Sequence, residues 1–476
     1  MNPRRLFSRR RCGASALAIA CVAGCADQSA AGDAIAKGKA ETERDDEDHA
    51  PSVHHDPKHV TDTDRREPLT EPLPGGFLET FDGAPSAPEP FTSPRWDVTV
   101  HTRDKEFFEV LEPMEAHHGM DCSSPGNGPP PVSTHTTSSY SGAAFLCRDH
   151  MMTALDGSDY AMAYVTPNHL VDFSDGEAVI SFEISTLRTS VRDWWDVWIT
   201  PYEDNLQLPL DLGTDVDASG PPRPAVRVGL GTENQLEAEI YEDHEREKFD
   251  DYPKTKVPGK WWEGYETFLT PDAARREVVE IHISEDHLRV GMPEHDFWWI
   301  DSEIPELDWT TGVVQFGHHS YNPTKDCNET NNPSPKVEEC APNTWHWDTI
   351  SIAPATPFSM VHSEQRTAEE GSPTITFEGP APADAHLRFA AIGTDIEIND
   401  GSGWREATPQ ATEEETAEDH FASYWVEVPE GTTKVRFRGG EWYGGPWHVR
   451  DASIWSLTVD ETAADETAAA AASDRS

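Results

Sequence analysis

The chain has 476 residues, with 37 Lys plus Arg against 87 Asp plus Glu and a formal net charge of −50. Such an acidic surface repels phosphate backbones, which excludes nucleic acid as a partner. Hydrophobic residues make up 36%, enough for a core once polar ends are set aside, and 32 Gly with 38 Pro fall well short of a collagen-like or wholly disordered composition.

Residues 1–24 join an arginine-rich start (Arg4, Arg5, Arg9, Arg10, Arg11) to an apolar run from Gly13 to Gly24. A basic stretch followed by roughly 12 apolar residues is a secretory signal, too short to span a bilayer. Val22-Ala23-Gly24-Cys25 closes the run and resembles the bacterial lipobox, whose cysteine is lipidated and becomes the new N-terminus. Lipid chains on Cys25 would hold the protein at the membrane surface of the bacterial cell envelope with no spanning helix. Four cysteines then remain, and the sequence-local pairing gives two disulfides, Cys122–Cys147 and Cys327–Cys340. Zinc is the alternative, but no Cys-x-x-Cys spacing supports it.

Residues 25–75 are rich in Ala, Asp, Glu, His and Pro with almost no large apolar side chains, so they read as a disordered acidic tether. From 76 to 355 short alternating segments follow one another between Gly, Pro, Asn and Asp. They are Ala178–Ile184, Trp194–Thr200, Val226–Leu230, Leu236–Tyr241, Val278–Ile283, His287–Met292, Val313–His319 and Trp345–Ile352. Period-2 runs of this kind are strands of antiparallel sheets with one buried face. The fold class is therefore all-β: a large antiparallel jelly-roll sandwich over 76–355, then a smaller β-sandwich over 356–460. The second block reads as strands at Thr374–Phe377, Leu387–Ile392, Tyr424–Val428, Lys434–Arg438 and Ser453–Leu457, with a glycine-turned hairpin over Asp395–Trp404. Residues 461–476 form an Ala- and acid-rich disordered tail.

The opening Phe77–Gly83, the central Trp194–Pro201 and the closing Trp345–Ile352 together resemble the concanavalin A-like lectin/glucanase superfamily. The resemblance covers 76–355 at the level of fold and implies a curved sheet whose concave face meets glycans. That superfamily holds lectins, hydrolases and lyases, so fold does not fix function. Its laminarinase-like members carry a Glu-x-Asp-x-Glu signature. Glu43–Glu47 matches it in the tether, where no rigid strand would support catalysis. In the globular part Glu237-Ala238-Glu239-Ile240-Tyr241 puts tyrosine in the third place. Retaining hydrolysis needs two carboxyls about 5–5.5 Å apart flanking the sugar bond, so this pair needs a further acid.

Strand parity nominates the other candidates. With Ile180, Phe182 and Ile184 inward, Glu183 points out; with Trp195, Val197 and Ile199 inward, Trp194, Asp196 and Trp198 lie opposite. Glu280 and His282 beside Arg289, and Gln315 with His319, follow the same rule. The catalytic candidates are thus Glu183, Asp196, Glu237 and Glu239, and the glycan-binding candidates are Trp194, Trp198, Tyr241, His282, Arg289, Gln315 and His319. Two exposed tryptophans beside a carboxylate suit a sugar platform. The resemblance to jelly-roll polysaccharide lyases, with His and Tyr as base and acid, pairs His282 with Tyr241.

Histidines concentrate at His117, His118, His135, His150, His318, His319 and His346, with Asp121 and Asp149 near the first group. No His-Glu-x-x-His or comparable spacing occurs, which favours hydrogen-bonding roles over zinc. Asp215–Gly220 resembles half an EF-hand loop, but its twelfth position is Val226. No cofactor is assigned; calcium elsewhere in so acidic a jelly roll is compatible with the composition, without a site. The leading functional expectation is a lipid-anchored, carbohydrate-binding surface protein, with neutral glycans favoured over acidic ones. The alternatives are a glycoside hydrolase or polysaccharide lyase acting on an extracellular polysaccharide, and a structural or protein-interaction module.

Overall fold

The computed structural model describes residues 67–82, 89–91, 93–102, 143–147, 150–155, 161–188, 193–203, 224–231, 235–242, 245–248, 277–320, 343–363, 367–369, 374–377, 379–392, 394–408, 422–439 and 448–458. All of these belong to one compact unit, Ser52–Ser476. The signal peptide with Cys25, the tether as far as residue 66, the tail, the Asp215–Gly220 loop, Cys122, Cys327 and Cys340 lie outside the described residues. So do His117, His118, Asp121, His135 and Asp149, and Cys147 is described in its backbone only. The end of the expected disordered tether, 67–75, is described and is tied to the first sandwich, where Ala355 N–H donates to Gly75 O at 2.8 Å.

The first half of the architecture is built from β1 (Phe77–Glu79), β2 (Glu89–Pro90), β3 (Trp96–Thr102), β4 (Ala143–Cys147), β5 (His150–Leu155), β6 (Ala161–Pro167), β7 (His169–Asp172), β8 (Ala178–Arg188) and β9 (Asp193–Pro201). It continues through β10 (Ala225–Gly231), β11 (Gln235–Glu242), β12 (Glu245–Lys248), β13 (Glu277–Ile283), β14 (His287–Met292), β15 (Phe297–Glu303), β16 (Thr311–Ser320), β17 (Asn343–Ala353) and β18 (Ala355–Pro357). These make two antiparallel sheets. Sheet 1 runs β15-β14-β13-β8-β17-β5-β4-β2 with β1 on β17; sheet 2 runs β12-β11-β10-β9-β16-β6-β3, extended by β7 on β16 and β18 on β7. Among the described residues no helix is long and apolar enough to cross a membrane.

Alternation places Ile180, Phe182 and Ile184 of sheet 1 against Trp195, Val197, Val226, Val228 and Phe316 of sheet 2 in one buried cluster. Trp347 sits at its centre, with ring centroids 5.4 Å from Phe182, 6.1 Å from Phe316 and 6.5 Å from Trp195. The all-β sandwich expected from alternation is the fold. The strands β4 to β7 went unread because their pattern does not alternate. Met151, Met152, Thr153 and Ala154 are buried in succession, as are Ala163 through Thr166, and a strand covered on both faces loses the period-2 signal.

A second pair of sheets follows, from β19 (Ser359–His362), β20 (Thr367–Glu369), β21 (Thr374–Thr376), β22 (His386–Ile392), β23 (Thr394–Asn399), β24 (Trp404–Ala407), β25 (Ala422–Glu427), β26 (Lys434–Gly439) and β27 (His448–Ser456). Their orders are β19-β27-β22-β25 with β20 on β27, and β21-β26-β23-β24. Leu387, Phe389, Ile396, Val435 and Phe437 fill the core between them. The expected hairpin is β23–β24, turned where Gly401 (φ 93°) and Gly403 (φ 131°) take backbone conformations that side chains disfavour. The two sandwiches meet on sheet 2: Leu170, Tyr202 and Val313 pack with Phe358, Met360 and Trp455. Beside them Asp97 Oδ2 accepts from Arg388 Nη1 at 3.4 Å and Ser453 Oγ at 3.2 Å.

Candidate functional site

On sheet 2, β9 lies between β16 and β10, and the register opposes Asp196 to glycine on both sides: Gly317 of β16 and Gly229 of β10. Tyr164 of β6 stands opposite Gly317, and Glu237 of β11 opposite Gly229. One step along, Gln315, Trp198, Arg227 and Glu239 occupy a second cross-strand row. The two rows bring chemistry to the sheet face turned away from the core.

Asp196 is the hub. Tyr164 Oη donates to its Oδ2 at 2.9 Å, and His319 Nδ1 reaches the same oxygen. Arg227 approaches Oδ1 with Nε at 2.9 Å and Nη2 at 2.7 Å, while its Nη1 meets Glu239 Oε2 at 3.2 Å. One guanidinium thus bridges two carboxylates, and its Cζ lies 5.7 Å from the Trp198 ring centroid, within cation–π range. Asp196 is fully buried. Burial works to raise its pKa, but the charges of Arg227 and His319 and their hydrogen bonds prevail and hold it below the usual carboxylate range.

The glycines make the hub geometrically accessible. A Cβ on Gly229 would lie 2.5 Å from Asp196 Oδ1 and 3.3 Å from Arg227 Nη2, and one on Gly317 would lie 2.6 Å from Tyr164 Cδ1. Tyr164 and Arg227 therefore reach the carboxylate across positions that any other residue would fill. Gly229→Ala is expected to displace the Asp196 carboxylate at a cost of about 1–3 kcal/mol. Urea denaturation checks this; an unchanged midpoint would show that the site tolerates the added methyl.

His318, the neighbour of His319, points the other way, with Nδ1 2.8 Å from Thr153 Oγ1 of sheet 1. Burial first, then the charge of His319, pushes its pKa down to about 3, against the opposing pull of Asp196. Below pH 6.5 the unfolded chain takes up a proton that folded His318 refuses, so stability falls by about 1.4 kcal/mol per pH unit per such group as pH drops toward 3. His169, pushed to about 4 by burial and Arg95, acts with the same sign. The urea midpoint is therefore expected to fall between pH 6.5 and 4, and His318→Gln is expected to flatten that slope. An equal slope in the variant would remove His318 as its cause.

The structure divides the sequence-nominated residues between two sheets. Asp196, Trp198, Glu239, Gln315 and His319 come together as described. Trp194, Glu237 and Tyr241 hold register positions on the same strands, opposite His319, Gly229 and Ala225 respectively, and their side chains lie outside the described ones. Glu183, His282 and Arg289 belong instead to sheet 1, on its face away from the core. There Glu183 stands opposite Val278 and Asp348. His282 hydrogen-bonds Glu177 at 2.9 Å and Glu280 at 3.0 Å; burial opposes protonation, but these two bonds raise its pKa overall. Arg289 lies 3.5 Å over the Trp298 ring. Glu183 is thus not grouped with Asp196, and His282 is not grouped with Tyr241, because parity reports inward or outward but not which sheet. Trp198 is also 2% exposed, so it is not the open stacking surface expected.

Sequence reasoning missed Arg227, Tyr164 and the two glycines. Arg227 was legible, since it alternates with buried Val226 and Val228 and so shares the face of Glu239. Tyr164 was not, because β6 is buried on both sides. Among the described residues no group of three or more His, Cys, Asp or Glu is placed to hold a metal ion, and none assigns a place to calcium.

No protein-family model matches the chain, and no curated protein matches it. Solved structures do. A Bacillus licheniformis beta-glucanase is 9% identical, covering 58% of this chain and 97% of its own, with a TM-score of 0.29. A carbohydrate binding module from Bacillus subtilis is 10% identical over 43% of this chain and 86% of its own, with a TM-score of 0.23. A Bacteroides ovatus mixed linkage glucan GH16 protein is 10% identical over 58% and 99%, with a TM-score of 0.30. Superpositions this loose carry no conclusion about chemistry, and the fold rests on the sheet order above.

Proposed function

We propose that the protein recognises a carbohydrate through the Asp196 cluster of sheet 2, and that lipid chains on Cys25 hold it at a bacterial envelope surface. The observation that carries the reading is the convergence of Tyr164, Arg227 and His319 on one carboxylate, with Glu239 tied to the same guanidinium. The cluster is itself buried, so it serves by fixing the strands of that face, and a face fixed in advance loses little entropy when it meets sugar hydroxyls. The shielding of the cluster from water strengthens each bond within it. With Trp198 buried, polar contacts and not stacking on that ring supply the recognition. The net charge of −50 opposes polyanions, which favours a neutral glycan.

The test is a panel of neutral and acidic polysaccharides, titrated against the wild-type protein and His319→Ala. Binding to a neutral glycan, weakened at least about tenfold in the variant, is expected. Folded protein that binds none of the panel, or a variant that binds as well as wild type, overturns the reading and leaves the structural role. For the anchor, Cys25→Ser is expected to move the protein from the membrane fraction to the soluble one.

A glycan-cleaving enzyme is the second reading, favoured by the contact of His319 and Tyr164 with the same Asp196 oxygen. Asp196, held ionised, suits an orienting role and not that of a proton donor. Release of new reducing ends, or of unsaturated products, from the same panel distinguishes hydrolysis or elimination from binding alone.

A further inference from the structure

The seam between the two sandwiches holds buried donors that take no part in the Asp196 cluster. Tyr202, directly after β9, packs its ring against Phe358 at 5.6 Å and Trp455 at 6.4 Å between centroids. Trp425 of β25 lies against the same cluster. Tyr202 is only 7% exposed. Its Oη and Trp425 Nε1 are both shielded from water, and among the described residues neither has a hydrogen-bond partner. Buried donors left unpaired are destabilising, and two at one seam point to a function that uses them.

Carboxylates surround these donors. Burial raises the Tyr202 pKa, and the charges of Asp384 and Glu203 add to it, so both acids act on the phenol. Burial lowers the pKa of His386 against the opposing charges of Glu427, Glu203 and Asp384. Glu427 is opposite His386 in the β22–β25 register, and the His386 ring stands edge-on to Trp425 with centroids 5.2 Å apart. Asp384 is held in place by Ser456 Oγ at 2.9 Å and Thr458 Oγ1 at 2.8 Å. Glu203, Asp384 and Glu427 are exposed and His386 and Trp425 half-buried, so the group opens to solvent. A cavity of about 510 Å3 adjoins it, with Asp384, His386 and Glu427 in its wall. Sites for small molecules span about 300–1,000 Å3.

We propose that this seam is a carbohydrate subsite, separate from the Asp196 cluster, that takes a neutral sugar unit. Its ligand has to accept from a phenol and an indole and to donate to carboxylates, and a sugar hydroxyl does both. A cation would meet the carboxylates but offer no acceptor to Tyr202 and Trp425. An anion would be repelled by Glu203, Asp384 and Glu427. Among the described residues no group of three or more acids or histidines is placed to hold a metal ion. The half-buried Trp425 ring adds apolar surface of the kind that lines small-molecule sites.

The experiment titrates the full chain by calorimetry with hexasaccharides of glucose, mannose, xylose and galactose. Tyr202→Phe and Trp425→Phe each remove one donor and keep an aromatic ring. Wild-type protein is expected to bind at least one of the four sugars, and each variant to bind it about threefold to tenfold more weakly, the worth of one hydrogen bond. Without sugar, the melting temperature of Tyr202→Phe is expected to equal or exceed that of wild type, because no internal hydrogen bond is lost. A clear fall would mean that the hydroxyl serves the fold, which overturns the site. Binding of none of the four sugars, or equal binding in both folded variants, also overturns it. His319→Ala, titrated alongside, keeps the two sites distinct: weakening in that variant alone overturns the seam and leaves the Asp196 reading standing. Weakening in the seam variants supports the subsite whatever His319→Ala does.

Discussion

Arg227→Met is expected to lower the unfolding free energy by about 3–5 kcal/mol, read from the urea midpoint at pH 7. Arg227 answers two buried carboxylates at once, Asp196 at 0% and Glu239 at 1% exposure. Methionine retains most of the side-chain volume, so packing is little changed and the loss reports charge. Without the guanidinium, both acids face a medium that penalises ionisation, and Asp196 keeps His319 and Tyr164 as contacts. Arg227→Lys is expected to recover only part of the loss. A lysine places one point charge where the planar fork reaches Asp196 through Nε and Nη2 and Glu239 through Nη1. A methionine variant as stable as the wild type would mean that the pairing barely exceeds its desolvation cost.

Trp347→Ala has a comparable effect by another route, about 3–5 kcal/mol. Trp347 is fully buried and contacts Phe182 of its own sheet and Trp195 and Phe316 of the opposite one. Its removal leaves a cavity between two sheets whose backbones are held by their own ladders and cannot collapse to fill it. Its Nε1 also donates to Thr153 Oγ1 at 3.0 Å, the hydroxyl that faces His318. The substitution therefore reaches the strand that carries His319. Trp347→Phe keeps the ring but not the donor and is expected to cost less. Thermal and urea unfolding of the two variants together separate the packing loss from the hydrogen bond.

The two substitutions show how sheet 2 is organised. Its inward residues hold the sandwich together, and its outward ones carry the candidate chemistry on the same strands. β16 passes from Val313, packed against Phe358 and Trp455 of the second sandwich, through Gln315 and Gly317 to His319. The second sandwich therefore borders the face that holds Asp196.

Alternation in the sequence was sufficient to identify most strands around the site and to assign inward and outward residues along each. Ile180, Phe182, Trp195 and Val197 were legible as core, and Asp196 and His319 as facing away from it, because the pleat turns successive side chains to opposite sides of a sheet. The acidic composition was legible as chemistry that needs no fold. Which outward residues become neighbours was decided only in three dimensions. Asp196 meets His319 across 123 positions of sequence and Tyr164 across 32, through strand pairings that no local pattern encodes. The same pairings placed Glu183 on the other sheet and set glycines on both sides of Asp196. A period of two records burial along one strand, whereas a site is assembled across several.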